Sequence, residues 1–328
     1  MPYTSSREGL GRADRSLLEK QCQAFLLNGL APSTRRSYAS AQRRFIDFCS
    51  QLGRSSPCPA DEQVLCLFIT HLARTIQHRS IKVYLSGVRS LHIERGFADP
   101  LEGCLRLQQV LRGIKRVQGT PASQRLPITD ALLIIIHKAL VFDSYNHRMF
   151  WAACTLAYFG LLRSAEFTVP NLGSFDSSIH LQVSDLAFDN LLNPSCLRVL
   201  IKASKTDPFR KGCHIHIGRG NLPLCAVSAM SCYLHSRGGA PGPLFLLEDG
   251  RPLSRQLLTS WLRDIFSGAG VSGNYSSHSF RIGAASVAAR NGVPDHLIQA
   301  VGRWTSNAYL AYIRTPVDAL AAVSRHLC

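Results

Sequence analysis

Residues 116–127 read Arg-Val-Gln-Gly-Thr-Pro-Ala-Ser-Gln-Arg-Leu-Pro, with a glycine, two prolines, polar side chains and no apolar period. No helix or strand is expected to run through such a stretch, so the 328 residues divide there. The length allows two domains, and a composition that is 46% apolar provides a core for each.

Upstream of that linker the apolar spacing is helical. Ala31-Pro32-Ser33-Thr34 reads as a helix start, and Tyr38, Ala41, Phe45, Ile46, Phe48 and Cys49 then form one face. Similar amphipathic helices are expected over 60–75, 80–95 and 100–115, giving an all-α bundle over 31–115 preceded by a polar, weakly helical arm over 1–30. The opposite faces carry Arg35, Arg36, Arg43, Arg44, Arg79, Lys82 and Arg89. Residues 1–125 hold 19 Lys and Arg against 9 Asp and Glu, so most of the formal charge of +16 lies in the first part. Solubility needs only mixed charge, and a one-signed set of this kind suits a polyanion such as double-stranded DNA, gripped through its phosphates.

Downstream, 128–328 reads as a mixed, mainly α domain with a small sheet. Helices are expected over 128–142 and 149–162, strands over 179–183, 196–201 and 213–217, and helices again over 225–236, 254–266, 279–291 and 294–302. Residues 317–327, following Pro316, read as a short amphipathic helix. The fourteen-residue run 149–162 is too short to cross a bilayer and suits a buried helix, so no membrane association is expected. The first ten residues lack the apolar core of a signal peptide, which points to an intracellular protein. Eleven cysteines without a Cys-x-x-Cys pair suggest reduced thiols rather than a disulfide framework or a zinc ribbon. Cys213, His214 and His216 alternate as in a strand, so no metal site is expected from them. Ser267-Gly268-Ala269-Gly270 has no lysine after it, so it is not a nucleotide phosphate loop.

The chemistry is concentrated near the end, where His278-Ser279-Phe280-Arg281, Gly302-Arg303-Trp304 and Tyr312-Ile313-Arg314 follow one another. His278 and Arg281 stand three apart on an expected serine-capped helix and therefore share a face. Arg281 can present a bidentate fork to a phosphate, His278 and Trp304 can each donate an N–H, and Tyr312 offers a nucleophilic oxygen. A tyrosine phenol ionises near pH 10, so deprotonation near neutrality costs about 4 kcal/mol, and neighbouring cations lower that cost.

This set, in this order, resembles the tyrosine recombinases, the phage and Xer-type integrases. Their sites combine an early Arg, a Lys on a β-hairpin, His-x-x-Arg, a His or Trp, and a late Tyr. Arg163 in Gly160-Leu161-Leu162-Arg163-Ser164-Ala165-Glu166 matches the early arginine, Glu166 its acidic partner, and Lys205 in Ala203-Ser204-Lys205-Thr206-Asp207 the hairpin lysine. The ending is similar to that of a Cre-like catalytic domain, where Trp also replaces His, and to recombinases of DIRS-type retrotransposons and Crypton elements. One spacing departs from the family: Tyr312 follows Trp304 by one residue fewer than usual, which leaves Tyr309 as a second candidate nucleophile.

The resemblance implies a SAM-like core-binding domain followed by the DNA breaking–rejoining enzyme fold. It implies metal-independent cleavage of DNA through a 3′-phosphotyrosine, with Arg163, His278, Arg281 and Trp304 around the phosphate and Lys205 as general acid. It also implies no cofactor and a dimer or tetramer on DNA. A silent DNA-binding derivative and a type IB topoisomerase-like strand relaxer are the alternatives. In a eukaryotic host the protein would work in the nucleus.

Overall fold

The computed structural model describes residues 12–119 and 125–314. The chain separates into two compact units, Met1–Ala122 and Ser123–Cys328. The first is all helical, with α1 (Arg12–Asn28), α2 (Pro32–Gln51), α3 (Glu62–Ala73), α4 (His78–Glu94) and α5 (Leu105–Gln118). Proline opens α2, where its missing N–H would have no partner in any case. Asp61 caps α3 by accepting the Val64 N–H at 2.9 Å. The expected apolar face of α2 packs on α3 and α4, with the Phe45 and Phe68 rings edge-on at 5.0 Å over Leu65, Ile69, Ile81 and Val88. Gly87 allows the close approach of α4 to α2, because a Cβ there would stand 2.6 Å from that of Ala41. His92 is fully buried, donating from Nδ1 to the Val88 carbonyl and accepting the Ala60 N–H at Nε2, so it is a core histidine.

Three details of this unit differ from expectation. The stretch 12–28, expected to be only weakly helical, is a regular helix that leaves Leu17, Leu18 and Phe25 exposed. Helix α5 continues to Gln118 and ends at Gly119 with φ 65°, so 116–118 is helix rather than linker. Two of the seven basic residues are also already engaged: Arg44 donates to Thr75 and lies over the Tyr84 ring, and Arg89 pairs with Asp99 at 2.7 Å. Arg36, Arg43, Arg79 and Lys82 are exposed and make no hydrogen bond or ion pair among the described residues, and Arg35 is half-buried.

The second unit carries α6 (Asp130–Lys138), α7 (Tyr145–Phe159), α8 (Ser164–Phe167), α9 (Ala226–Arg237), α10 (Arg255–Gly268), α11 (Ser277–Arg290) and α12 (Asp295–Gly302). Its antiparallel sheet, in the order β1-β2-β3, comprises β1 (Leu186–Phe188), β2 (Cys196–Ile201) and β3 (Cys213–Gly218). Helix α7 is buried all round, from Met149 to Tyr158, which accounts for its unbroken apolar run. Leu197 and Val199 pair with Ile217 and Ile215 and face the core, while His214 and His216 point outward, away from the face that Cys213 shares. Among the described residues no group of His, Cys, Asp and Glu could hold a metal ion, and no helix is long and apolar enough to cross a membrane.

The strand expected over 179–183 does not form. The Asp176 carbonyl accepts the N–H groups of both Ile179 and His180, and the Asp185 carboxylate caps Gln182 at 2.8 Å, closing a 3₁₀ turn over Val183–Asp185. The strand therefore starts later, at Leu186. The helix expected over 128–142 stops at Lys138, with Ser144 capping the next helix. The helix expected over 317–327 lies outside the described residues.

Candidate active site

Helix α7 ends in Gly160, and the chain reverses through Leu161, whose φ of 46° is rare for a branched residue. Glycine suits position 160 because a Cβ there would stand 2.8 Å from the Leu156 carbonyl oxygen and 2.9 Å from Ile215 Cδ1 on β3. The reversal turns the Leu161 carbonyl inward and leads into α8, with Arg163 at its N-cap. Glu166 then folds back on that start, its Oε2 accepting the Arg163 backbone N–H at 2.9 Å and its Oε1 accepting Arg163 Nη1 at 3.0 Å.

Helix α11, capped by Ser276, carries His278 and Arg281 on one face, as their spacing predicts. Arg281 is wholly buried, with Nη1 donating to the Leu161 carbonyl and Nη2 to the Gly302 carbonyl. Burial first, then Arg163 and Arg303, push this guanidinium down to about 10, with Glu166 opposing. It stays charged at neutral pH. Burial, followed by the charges of Arg281, Arg125, Arg163 and Arg314, holds His278 below the usual imidazole range.

The Gly-Arg-Trp stretch closes the site. Arg303 ends α12 in the left-handed region, with φ 57°, and sends Trp304 back over the helix end. The indole lies flat against Gly302, where a Cβ would stand 1.7 Å from its Cζ3. The Arg281 guanidinium sits 3.9 Å from the centre of that ring. A 3₁₀ turn over Asn307–Ala311 then places Tyr309 and Tyr312 one turn apart. Tyr312 lies 5.0 Å from Trp304, 5.1 Å from His278 and 5.5 Å from the Arg281 guanidinium, measured to ring centres. Tyr309 instead donates its hydroxyl to Asp295 Oδ2 at 3.1 Å, and burial together with that carboxylate pushes its phenol up.

The structure thus gathers His278, Arg281, Trp304 and Tyr312 into one cluster, with Arg163 and Glu166 beside it. Lys205 is not in that cluster. It is exposed on the β2–β3 connection, in a turn that Asp207 closes by accepting the Gly212 N–H at 2.8 Å, and among the described residues it has no partner. The expectation of an open arginine fork is also corrected: both Arg281 Nη groups are taken by carbonyls, with the two rings lying over the guanidinium.

Two participants carried no sequence prediction. Arg303 donates from Nη2 to Glu166 Oε2 at 2.8 Å and from Nη1 to the Gly160 carbonyl at 3.1 Å, and its place beside Trp304 was the available clue. Ser286 accepts the Arg314 N–H at 2.9 Å and lies 3.2 Å from the Tyr312 carbonyl, fixing the tyrosine's backbone. Nothing in the local sequence marks that serine.

No family model and no curated protein matches the chain. Solved structures do. A XerH site-specific recombinase bound to palindromic difH substrate in a post-cleavage complex is 16% identical, with a TM-score of 0.63 over 88% of this chain and 78% of that one. A Tn1549 transposon integrase in complex with transposon right end DNA is 13% identical, with a TM-score of 0.59 over 91% and 94%. The fold is that of the tyrosine recombinases. A lambda integrase dimer bound to a COC′ core site shares it as well, at 13% identity and a TM-score of 0.55 over 94% and 82%. The cluster described above lies in the second unit of this tyrosine recombinase fold, with the Leu161 turn, α11 and the Gly-Arg-Trp stretch as its walls.

Proposed function

We propose that this chain is a site-specific DNA recombinase, encoded by a mobile element, which cleaves and rejoins DNA through a 3′-phosphotyrosine on Tyr312. The observation that carries the reading is Tyr312 packed against His278, Trp304 and Arg281, in a cluster with three guanidiniums and one carboxylate. Arg281 Nε and Arg303 Nε are buried with no partner among the described residues. Excess positive charge with unpaired N–H donors is what an anion would satisfy.

In this reading the phosphate enters as the two rings swing off Arg281. Arg163 and Arg281 stabilise the charge that spreads over the equatorial oxygens, and His278 and Trp304 donate to the same oxygens. The Tyr312 phenol gives its proton to solvent as its oxygen bonds to phosphorus, and the bond from phosphorus to the 5′-oxygen breaks as that oxygen takes a proton from Lys205, which the β2–β3 connection brings onto bound DNA. The 3′-phosphotyrosine conserves the bond energy, so an incoming 5′-hydroxyl reverses the step. The arginines supply the positive charge, and no cofactor is invoked. The protein works as a dimer or tetramer on double-stranded DNA, inside the cell and in the nucleus of a eukaryotic host. The likeness of its ending to DIRS-type and Crypton recombinases supports the mobile-element origin.

The test is a nicked duplex whose short fragment, released with a free 5′-hydroxyl on cleavage, diffuses away and cannot reverse the step. Covalent protein–DNA complex is the expected result, and its absence would leave a DNA-binding protein. Adduct formation with relaxed plasmid but no exchanged products would instead indicate a strand relaxer.

DNA binding is expected to take up a proton at His278. A bound phosphate offsets the cations that hold this imidazole low, so its pKa is higher in the complex than in the free chain. The added affinity is fully present below the free-state pKa and is lost as pH rises through the complex-state pKa. Affinity should therefore fall as pH rises across the imidazole range, and His278→Gln should abolish that fall. An equal pH dependence in the variant would refute it.

The first unit grips phosphates through the cations that have no partner. Arg36 and Arg43 lie opposite the α2 core face, so replacing both by Gln should reduce the slope of log K against log salt by roughly 2, at about 0.9 per contact. Affinity should drop alike for all sequences, because phosphate contacts carry no base information. An unchanged slope would place this face in solvent.

A further inference from the structure

We propose that Arg303 is a positioning residue for the cleavage step, acting through Glu166 on Arg163; the proposal rests on the recombinase reading above. Three observations carry it.

The first is backbone strain. The position just past a helix usually goes to glycine when the chain turns left-handed, and Arg303 occupies it with φ 57°. A glycine would relieve that strain, and the arginine side chain is what the site gains in exchange.

The second is the bonding of Glu166, whose side chain is only 2% exposed. Its Oε2 accepts both the Arg163 backbone N–H and Arg303 Nη2, leaving Oε1 to take a single guanidinium nitrogen of Arg163. Arg163 is thereby held by Nη1 alone, and its other edge remains for a bidentate contact with a phosphate. If Arg303 were absent, the buried carboxylate would have only Arg163 to pair with. It would draw both nitrogens inward and cancel the charge meant for the phosphate.

The third is the link to Arg281. Arg303 Nη2 also reaches the Leu161 carbonyl at 3.3 Å, the same oxygen that receives Arg281 Nη1, and Arg303 Nη1 holds Gly160. A single side chain therefore braces the carboxylate that orients one phosphate-facing arginine and the carbonyl that orients the other.

The experiment measures single-turnover cleavage of the nicked duplex and, separately, DNA affinity and thermal stability. Arg303→Ala should slow cleavage roughly 10- to 100-fold, the scale on which ligand-orienting partners act, with affinity changed less than about twofold. Arg303→Lys, which keeps the charge beside Glu166 but cannot reach Gly160 at the same time, should recover part of that rate at near wild-type stability.

A double-mutant cycle separates positioning from bulk support. Arg303→Ala combined with Glu166→Gln should be no slower than the slower single variant, because both break one relay. Combined with Lys205→Ala, the losses should multiply. Cleavage by Arg303→Ala within about twofold of wild type, or losses that multiply with Glu166→Gln, would overturn the proposal. Should Arg303→Ala not fold, Arg303→Lys cleaving at wild-type rate would overturn it. No adduct from the wild-type chain would remove the recombinase reading and this proposal together, whereas adduct from wild type and Arg303→Ala alike would remove this proposal alone.

Discussion

Tyr312→Phe is expected to form no covalent protein–DNA complex on a nicked substrate while binding DNA within about twofold of wild type. The substitution removes one oxygen and leaves the ring packed on Trp304 and His278 at 5.0 and 5.1 Å. Ser286 continues to hold the backbone at the Tyr312 carbonyl and the Arg314 N–H. No other group can replace a nucleophile that becomes part of the intermediate, so the loss should be complete rather than partial. Tyr309→Phe is the matched control. It gives up the hydrogen bond to Asp295, worth about 1 kcal/mol, and should keep the adduct. Adduct that persists in Tyr312→Phe and vanishes in Tyr309→Phe would transfer the chemistry to Tyr309. Spacing from Trp304 does not distinguish the two tyrosines; the 3₁₀ turn separates them by giving Tyr309 a carboxylate partner and Tyr312 the cationic cluster.

What could be read from the sequence follows from the range of the interactions involved. The 196–201 strand and the apolar face of α2 were legible because period-2 and period-3.6 burial depend on neighbouring residues. The pairing of His278 with Arg281 was legible for the same reason, being an i,i+3 relation within one helix. The start of β1 was not, because a single carboxylate, Asp185, diverts the chain into a 3₁₀ turn that β propensity does not register. The burial of Arg281 was not either. Its acceptors, Leu161 and Gly302, come from distant turns that only the tertiary fold brings to α11. Arg303 was visible inside the Gly-Arg-Trp motif, yet its role depends on a left-handed backbone and on Glu166, far away in the chain. Lys205 shows the opposite case, in which the motif reads clearly but its side chain stands in solvent, away from the cluster.

Arg281→Ala is expected to lose cleavage and stability together. The side chain heads the largest fully buried ones among the described residues, and its removal strands the Gly302 carbonyl and leaves the Leu161 carbonyl to Arg303 Nη2 alone. Hydrogen bonds to charged groups contribute roughly 1.5–3 kcal/mol each, so the loss should be about 3–6 kcal/mol before any collapse of the cavity under Trp304. In a unit of this size that corresponds to a Tm lower by roughly 6–24 °C. Cleavage should fall by a factor of about 1,000 or more, since a fixed donor to a developing oxyanion is worth 10²–10³ and the indole loses its support as well. Arg281→Lys separates the two effects. An ammonium on the same stem can reach one of the two carbonyls, so stability should recover in part, but it has no counterpart of the buried Nε–H that Arg281 keeps unpaired for an anion. The expected result is a variant that folds and binds DNA yet cleaves it at least 100-fold more slowly than wild type. Arg281→Lys cleaving at the wild-type rate would mean that Arg281 supports the turns at Leu161 and Gly302 and nothing more, and the phosphate-facing role would pass to Arg163 alone.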